Sequence, residues 1–360
     1  MKRLLALDAF RGFTVVGMIL VNVPGDWSYV YAPLLHSKWN GLTLADLVFP
    51  FFIFIMGVSV MLSFTKAVSK GAGKKSLMHK IIKRSLIIFT VGVFLNLIAY
   101  RFQELRIPGV LQRIAIVYFI IATMFIHLNR KQIYGIGLVM LICYWIIMIF
   151  IPIPGEATPN LEPGKNWSNY IDNLLIPFKQ HGGTWDPEGL LSTIPSICTA
   201  ILGLQLGETV LNKELNTDTI KIIFITGSLL ISIGFLWSFS FPVNKNIWSC
   251  SYVLLTGGIA NLLLALFIYL IDIKSKYRWA AIGFTFGSNA LMAYIFHYLL
   301  IIPFSWMNIE GKNIQEWFMH IIPELDFSLK FSSLLWAILF TTICYLPMRW
   351  MDKRRIFVKI

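Results

Sequence analysis

The chain has 360 residues, of which 57% are apolar and only 14% are charged, and its formal net charge is +13. A soluble domain carries about 25% charged residues, and charge is costly in hydrocarbon, so this composition, with a mean hydropathy of +0.70, excludes an ordinary soluble protein. The basic residues fall between apolar runs, where anionic lipid and topology explain them better than a nucleic-acid partner does.

Ten apolar runs of membrane-spanning length follow one another along the chain. Each is close to the ~20 residues that a helix needs to cross a bilayer, and we expect helices because lipid cannot satisfy an open backbone. The predicted spans are 5–23, 43–65, 81–99, 108–128, 132–151, 188–211, 219–239, 248–271, 279–302 and 329–349. The sequence therefore predicts an all-α polytopic membrane protein, with residues 1–360 forming a single transmembrane domain.

The distribution of basic residues predicts the orientation of these spans. Most of the 31 lysines and arginines lie on one side of the membrane if the N-terminus is cytoplasmic. This pattern favours two cytoplasmic termini and an even number of spans. The outer side then has three long connections, 24–42, 152–187 and 303–328. Loops of this length are usually functional or disordered, and their content of Trp and Asn favours ordered structure that faces a substrate.

Polar and ionisable residues concentrate near the outer ends of the predicted helices. Such groups in membrane helices indicate function by default. A histidine can accept a proton from an attacking amine or hydroxyl, and amides or guanidinium groups can bind a sugar or stabilise an oxyanion. The residues of this outer layer are Asn22, His36, Asn40, Asp46, Arg106, Gln112, Arg113 and His297.

Several of these residues also have a purely structural interpretation. Thr43 and Asp46 form a capping-box pattern before an apolar run, so Asp46 can cap its helix with or without a catalytic role. Arg113 could extend to the outer headgroups. His297, on an otherwise apolar helix, suits a hydrogen bond to another helix. His36 could be an ordinary interfacial histidine.

A second polar layer is predicted at the inner side. Asp8 and Arg11 are three residues apart and can pair on one helix face, while Asn261 lies deep within an apolar run. The basic segment 66–84 could accept the phosphates of a cytosolic nucleotide, or it could simply determine topology on anionic lipid.

Six blocks, in the same order along the chain, resemble one protein family. The first is Leu7-Asp8-Ala-Phe-Arg11-Gly12, and the most specific is the run from His36 to Gly57, which begins HSKWNGLTLAD. The later blocks are 106–113, 186–195, 241–248 and 287–291. The family that they resemble is that of the heparan-α-glucosaminide N-acetyltransferase-like transmembrane acyltransferases.

The resemblance implies an enzyme that moves an acetyl group from cytosolic acetyl-CoA to an amine on a sugar across the membrane. His36 matches the active-site histidine of the family and is expected to act as general base, together with the catalytic residues Asn22 and Asp46. The expected substrate-binding residues are Trp39, Asn40, Arg106, Gln112, Arg113 and His297, and the expected acetyl-CoA-binding residues are Asp8, Arg11, Asn261 and Asn289. For Asp46, Arg106, Gln112 and Arg113, the resemblance leaves open whether they bind the donor, bind the acceptor or only stabilise the fold. Direct transfer and an acetyl-histidine intermediate both stay open.

The shorter length of the chain favours a bacterial homologue in the inner (cytoplasmic) membrane, because no lumenal N-terminal domain precedes the first span. The expected acceptor is then glucosamine or another periplasmic amino sugar, by N- or O-acylation, and a homodimer is left open. The four cysteines are widely spread and lack metal-ligand spacing, so no metal is expected. The main alternative is an inner-membrane transporter of amino sugars, which an internal repeat would favour, and a third is a non-catalytic sensor.

Overall fold

The computed structural model describes residues 3–178 and 180–358, apart from the side chain of Ile309. Thirteen α-helices are present in these residues: α1 (Leu5–Asn22), α2 (Leu44–Ser69), α3 (Lys74–Ala99), α4 (Val110–His127), α5 (Arg130–Phe150), α6 (Trp167–Leu175), α7 (Thr193–Asn212), α8 (Thr217–Trp237), α9 (Cys250–Phe267), α10 (Ala281–Ser288), α11 (Ala290–Trp306), α12 (Ile314–Ile321) and α13 (Leu329–Lys353). A π-helical turn, Ile268–Ile273, extends α9. Strands β1 (Asn308–Ile309) and β2 (Lys312–Asn313) form a small antiparallel hairpin.

Nine of the described helices are individually long and apolar enough to cross a membrane, and α10 and α11 together pass the same test. Two contacts show that this pair crosses the bundle. Asp272 accepts hydrogen bonds from the backbone at the start of α1, whereas Ser333 accepts one from Gly25, just beyond the end of α1. The chain between 272 and 333 therefore passes from one end of the bundle to the other. The prediction of an all-α, polytopic membrane protein is confirmed.

The predicted span 279–302 is wrong in one respect, because it is not a continuous helix. The helix breaks at Asn289 (φ −135°, ψ 44°), and α10 and α11 differ in direction by 76°. The side chain of Asn289 donates to the carbonyl of Ile356 at 2.9 Å and accepts from the N–H of Val358 at 3.0 Å. The break is thus stabilised by a contact with the C-terminal segment, which hydropathy along the chain cannot reveal.

Close backbone contacts define the interior of the bundle. A Cβ atom on Gly12 would lie 1.7 Å from the carbonyl oxygen of Gly283, so α1 and α10 can pack at this distance only through glycine. Helices α1, α2 and α7 are central, since 61% of their apolar window is buried, whereas the corresponding fraction is 22% in α8 and 28% in α3 and α5. Those three helices therefore form the periphery that faces lipid.

The connection between α1 and α2 marks one end of the bundle, which we call the His36 end. We call the opposite end, where α1 begins and α13 ends, the terminal end. The described long connections at the His36 end contain α6, the β-hairpin and α12. They bring distant parts of the sequence together over the first turns of α2 and α4.

Candidate active site

A histidine and a carboxylate form a hydrogen-bonded pair at the His36 end. Nδ1 of His36 lies 2.8 Å from Oδ1 of Asp46. Asp46 is fully buried, while 39% of the His36 side chain is exposed. Because a carboxylate only accepts hydrogen bonds, the neutral ring donates from Nδ1 and carries its lone pair on Nε2. The pair therefore presents a proton acceptor of defined orientation to a partly open surface.

Asp46 also caps α2, as the sequence predicts. Its Oδ2 accepts the backbone N–H groups of Ser37 and Thr43, both at 3.1 Å, and the hydroxyl of Thr43 at 3.0 Å. The capping box on Thr43 is present. Helix capping and orientation of His36 are thus combined in one carboxylate, with one oxygen for each task.

Lys245 is the third residue of this site, and the site residues predicted from the sequence do not include it. Its Nζ lies 3.1 Å from Nδ1 and 3.2 Å from Nε2 of His36, and 3.9 Å from Oδ1 of Asp46. Burial lowers the pKa of the Lys245 ammonium, an effect that the nearby Asp46 carboxylate opposes. The sequence contained a signal that could have identified Lys245. Most basic residues are predicted on the cytoplasmic side, whereas Lys245 lies in a short connection on the outer side, where a basic residue is unusual.

The connection that carries Lys245 is fixed against the loop that carries His36. Asn244 donates from Nδ2 to Oδ1 of Asn40 at 3.0 Å, and the N–H of Gly41 donates to the carbonyl of Val243 at 2.8 Å. Trp248, which is fully buried, has a φ of +50°, a conformation that persists only where the surroundings enforce it. In this structure Asn40 therefore joins the two loops.

Trp39 and Arg106 attach the 151–192 connection to this region. The indole N–H of Trp39 donates to the carbonyl of Leu161 at 2.9 Å. Arg106 forms ion pairs with Asp186 at 2.7 Å and with Glu188 at 2.6 Å, and all three side chains are largely buried. These contacts raise the pKa of the Arg106 guanidinium, and the same guanidinium holds the pKa of Asp186 below its ordinary value.

Arg113 and Gln112 lie inside the protein at the start of α4. Nη2 of Arg113 donates to the carbonyl of Gly189 at 2.9 Å and to the hydroxyl of Ser192 at 2.5 Å, and its guanidinium carbon is 5.1 Å from the ring centre of Trp248. The alternative that Arg113 extends to lipid headgroups is therefore wrong. Among the described residues, Nε and Nη1 of Arg113 and Nε2 of Gln112 have no hydrogen-bond partner.

Asn22 and His297 are not joined to the histidine–carboxylate pair by any hydrogen bond in the described part of the chain. Asn22 ends α1 and is exposed. His297 is buried in α11, where Nδ1 lies 2.5 Å from the carbonyl oxygen of Tyr294 in the same helix and the ring packs 4.5 Å from that of Tyr298. The expected hydrogen bond from His297 to another helix is not found among the described contacts.

A cavity of about 550 Å³ lies between α1, α2, α3, α4 and the joint of α10 and α11. Eight of the described lining residues have charged or polar side chains, and Val358 near the C-terminus also lines it. These eight residues are Arg11, Ser59, Ser63, Arg84, Tyr118, Ser288, Asn289 and Tyr294. A cation in a membrane-embedded cavity is costly without an anionic partner. Arg11 is paired with Asp8, whereas no ion pair is found for Arg84 among the described residues, so the lining favours an anionic ligand.

The lining of the cavity agrees in part with the predicted inner layer. Arg11 pairs with Asp8 at 3.0 Å, as predicted, and its Nη2 donates to the hydroxyl of Ser59 at 2.8 Å. Arg11 and Asn289 line the cavity, and Asp8 supports Arg11. The described lining does not include Asn261. Its Nδ2 instead donates a hydrogen bond to the carbonyl of Gly257 in its own helix, at 2.8 Å.

The cavity approaches the His36 end along α2. Its lining on this helix runs from Phe52 to Ser63, which corresponds to about 16 Å at 1.5 Å per residue. Asp46 precedes Phe52 by about 9 Å of helix by the same measure. The cavity and the histidine–carboxylate pair are thus arranged along one helix, although the described lining does not include His36.

Among the described residues, no group of three or more His, Cys, Asp or Glu side chains could hold a metal ion.

Asp172 on α6 gives the outer connection a pH-dependent contribution to stability. It is fully buried, and burial raises its pKa to about 6, against the opposing effects of the Leu190 N–H and Arg113. The ordinary value is about 3.9, so the folded protein holds this proton more tightly. The free energy of unfolding should therefore fall as the pH rises from about 4 to about 6, by up to roughly 3 kcal/mol.

We expect Asp172→Asn to remove this pH dependence, because an amide side chain does not titrate. The variant should stay folded, since the amide oxygen can still accept the N–H of Leu190. The melting temperature of the variant, measured in detergent and relative to the unmodified protein, should be higher at pH 7.5 than at pH 4.5. Asp218→Asn, at a side chain that is 80% exposed, is the matched control. An equal difference at both pH values would contradict the expectation.

Comparison with known proteins gives a family match over most of the chain. Residues 3–236 match the family model described as "Heparan-alpha-glucosaminide N-acetyltransferase, catalytic". The chain is 30% identical over 389 residues to heparan-alpha-glucosaminide N-acetyltransferase from Mus musculus and 31% identical over 379 residues to that from Homo sapiens. These alignments cover 90% and 87% of this chain but 57% and 56% of the relatives. The chain thus spans little more than half the length of the curated relatives that it matches.

Proposed function

Because the chain belongs to the heparan-alpha-glucosaminide N-acetyltransferase catalytic family, we propose that it is a transmembrane acetyltransferase. The reaction moves an acetyl group from acetyl-CoA to the amine of a glucosamine-like sugar. The observation that carries this proposal is the hydrogen bond between His36 and the buried Asp46, which lies within the matched residues. Such a pair is an oriented general base, and general-base catalysis is what amide formation from an amine and a thioester requires.

In the proposed reaction, Nε2 of His36 removes a proton from the attacking amine, and Asp46 stabilises the imidazolium that forms. Asn22 stays a prediction for the positioning of His36 or of the acyl carbonyl. Trp39 and Asn40 attach the neighbouring loops to the His36 loop. In this proposal they contribute to substrate binding indirectly, by fixing the shape of the surface around His36. Gln112, Arg113 and His297 stay predicted substrate-binding residues.

The cavity supports acetyl-CoA as the acetyl donor. CoA carries phosphates, and the guanidinium groups of Arg11 and Arg84 are suited to bind them. The cavity then runs along α2 toward Asp46, a direction that suits an extended pantetheine arm with the thioester at its far end. The positive-inside distribution supports a cytoplasmic terminal end, where acetyl-CoA is available. In this proposal the acceptor binds at the opposite, periplasmic side of a bacterial inner membrane.

A second candidate function is amino-sugar transport across the same membrane. The broken helix α10–α11 favours it, since discontinuous helices beside a membrane-embedded cavity are typical of secondary transporters. Flux of glucosamine into liposomes that contain the protein, without acetyl-CoA, would support this alternative.

The decisive experiment mixes the purified protein with acetyl-CoA and glucosamine. Free CoA is followed with a thiol reagent, and N-acetylglucosamine is identified by mass spectrometry. We expect both products in equal amounts. Absence of acetyl-CoA binding in a calorimetric titration would contradict the acetyltransferase, whereas binding without transfer to glucosamine would direct the search to other amino sugars or to hydroxyl acceptors.

The cavity makes a separate prediction for acetyl-CoA affinity. Arg84→Gln should raise the KM for acetyl-CoA about 10–100-fold with little change in kcat, because it removes one charge-assisted contact worth about 1.5–3 kcal/mol. Lys83→Gln, which removes the same charge from the same helix at a residue that does not line the cavity, is the matched control. An equal KM for the two variants would show that the phosphates bind elsewhere.

A further inference from the structure

The Lys245 ammonium has unused hydrogen-bond donors directly beside the proposed base. An ammonium carries three N–H groups. Because Nδ1 of His36 donates to Asp46, the ring nitrogen that can accept from Nζ is Nε2, at 3.2 Å, and it is the hydrogen-bond acceptor found for Nζ among the described residues. The Asp46 carboxylate at 3.9 Å is too distant for a hydrogen bond. The side chain is only 14% exposed, so its charge acts in surroundings that contain little water.

Lys245 is also held in a defined position. Asn244 bonds Asn40 on one side of it, and on the other side the carbonyl of Ile247 accepts the hydroxyl of Tyr144 at 2.5 Å. The buried Trp248 follows in a left-handed backbone conformation. A flexible surface lysine would have to be ordered during the reaction, whereas this one is ordered beforehand, which is what electrostatic catalysis requires.

Attack on a thioester creates negative charge on the carbonyl oxygen, and a catalytic site needs a donor for this oxygen within reach of the base. We propose that Lys245 is the catalytic residue that stabilises this oxyanion: when the thioester is bound, Nζ donates to its carbonyl oxygen instead of to Nε2 of His36, and the lone pair of Nε2 is then free to accept the proton of the amine. This role rests on the proposed acetyl transfer. It explains why a buried cation is placed against a histidine that is already oriented by Asp46.

The bonds and protons of the step balance within these groups. The amine lone pair forms the C–N bond, and the π electrons of the carbonyl move to the oxygen beside Lys245. His36 takes one proton from the amine nitrogen. The electron pair then returns to carbon, the C–S bond breaks, and the proton on His36 passes to the leaving sulfur to give CoA as its free thiol. No atom is oxidised or reduced.

A structural role for Lys245 predicts something different. If the ammonium only neutralised Asp46, its removal would lower the free energy of unfolding and leave the rate of the folded fraction unchanged. If it stabilises the oxyanion, its removal lowers kcat and leaves the KM for acetyl-CoA nearly unchanged, because the contact forms in the transition state. The two roles therefore separate in kinetic measurements.

The pH dependence gives an independent readout. Four charged or titratable groups act on Lys245: His36 and Asp46 in direct proximity, and Glu188 and Arg113 at longer range. Burial lowers the pKa of Lys245, and Arg113 adds to this effect, while Asp46 and Glu188 oppose it. Activity should thus fall on the alkaline side as Lys245 loses its charge, and Lys245→Arg should shift this fall to higher pH, because a guanidinium stays protonated.

The test compares Lys245→Met, Lys245→Arg and the control Lys38→Met, an exposed lysine in the His36 loop. Each variant is assayed with acetyl-CoA and with the analogue in which sulfur replaces the carbonyl oxygen, and its melting temperature is measured. We expect Lys245→Met to lower kcat about 10²–10³-fold with a near-normal KM. Lys245→Arg should recover part of this loss. The sulfur analogue should slow the unmodified enzyme more than the Met variant.

Two outcomes overturn the assignment alone: an active unmodified enzyme with Lys245→Met within threefold of its kcat, or an equal effect of the sulfur analogue on both proteins. An unmodified protein that binds acetyl-CoA but transfers its acetyl group to no amine or hydroxyl acceptor overturns the proposed function, and the role of Lys245 with it.

Discussion

His36→Gln is expected to lower kcat for acetyl transfer about 10²–10⁴-fold while the protein stays folded. Gln cannot accept a proton at neutral pH, and a positioned general base contributes a factor of this size. The side chain of His36 is partly exposed, and Asp46 keeps its bonds to Ser37 and Thr43 in the variant, so α2 remains capped. The rate of CoA release under saturating acetyl-CoA measures the effect, and a melting curve in detergent checks the fold.

His320→Gln is the matched control for this variant. His320 is a half-exposed histidine on α12 that pairs with a carboxylate, Glu324, at 3.3 Å. It thus resembles His36 in chemistry but lies outside the proposed site, and its replacement should leave kcat within about twofold. If His36→Gln retained more than a tenth of the activity, the general-base role would be wrong. An acetyl-histidine detected on His36 by mass spectrometry would replace it with nucleophilic catalysis.

Arg106→Met is expected to cause the largest loss of stability, about 3–5 kcal/mol at pH 7. The substitution leaves Asp186 and Glu188 buried without their cation, and one-sided removal of a buried ion pair costs about this much. Because Arg106 lowers the pKa of Asp186, this stabilisation is present above the ordinary pKa of an aspartate and is lost as the pH falls through the lowered value. The difference in melting temperature between variant and unmodified protein should thus shrink in acid.

Arg101→Met provides the control, since Arg101 belongs to the same connection but is exposed, with a contact to Trp306. It should change the free energy of unfolding by less than about 1 kcal/mol. The combined variant Arg106→Met, Asp186→Asn, Glu188→Gln should recover much of the lost stability, because it removes the unpaired charges. Equal stability of the Arg106 and Arg101 variants would show that the ion pairs do not hold the connection.

The sequence by itself determined the features that depend on local composition and spacing. Apolar runs of about 20 residues, the length that a helix needs to cross a bilayer, predicted the nine long helices and the bent pair α10–α11 among the described residues. The Asp8–Arg11 pair and the capping box of Thr43 and Asp46 involve residues three positions apart, so helix geometry alone places them together. Six blocks in the same order, with the run from His36 to Gly57 as the most specific, carried the resemblance to the family.

Only the tertiary structure decided which distant residues meet. Lys245 and His36 are separated by 209 positions and Arg106 and Asp186 by 80, and no periodicity predicts either contact. The break at Asn289 also depends on a contact between distant residues. The hydropathy is continuous through α10 and α11, but the helix is interrupted where the side chain of Asn289 binds the C-terminal segment. Hydropathy reports the solvent that each residue prefers, whereas these contacts depend on how helices and loops pack against one another in space.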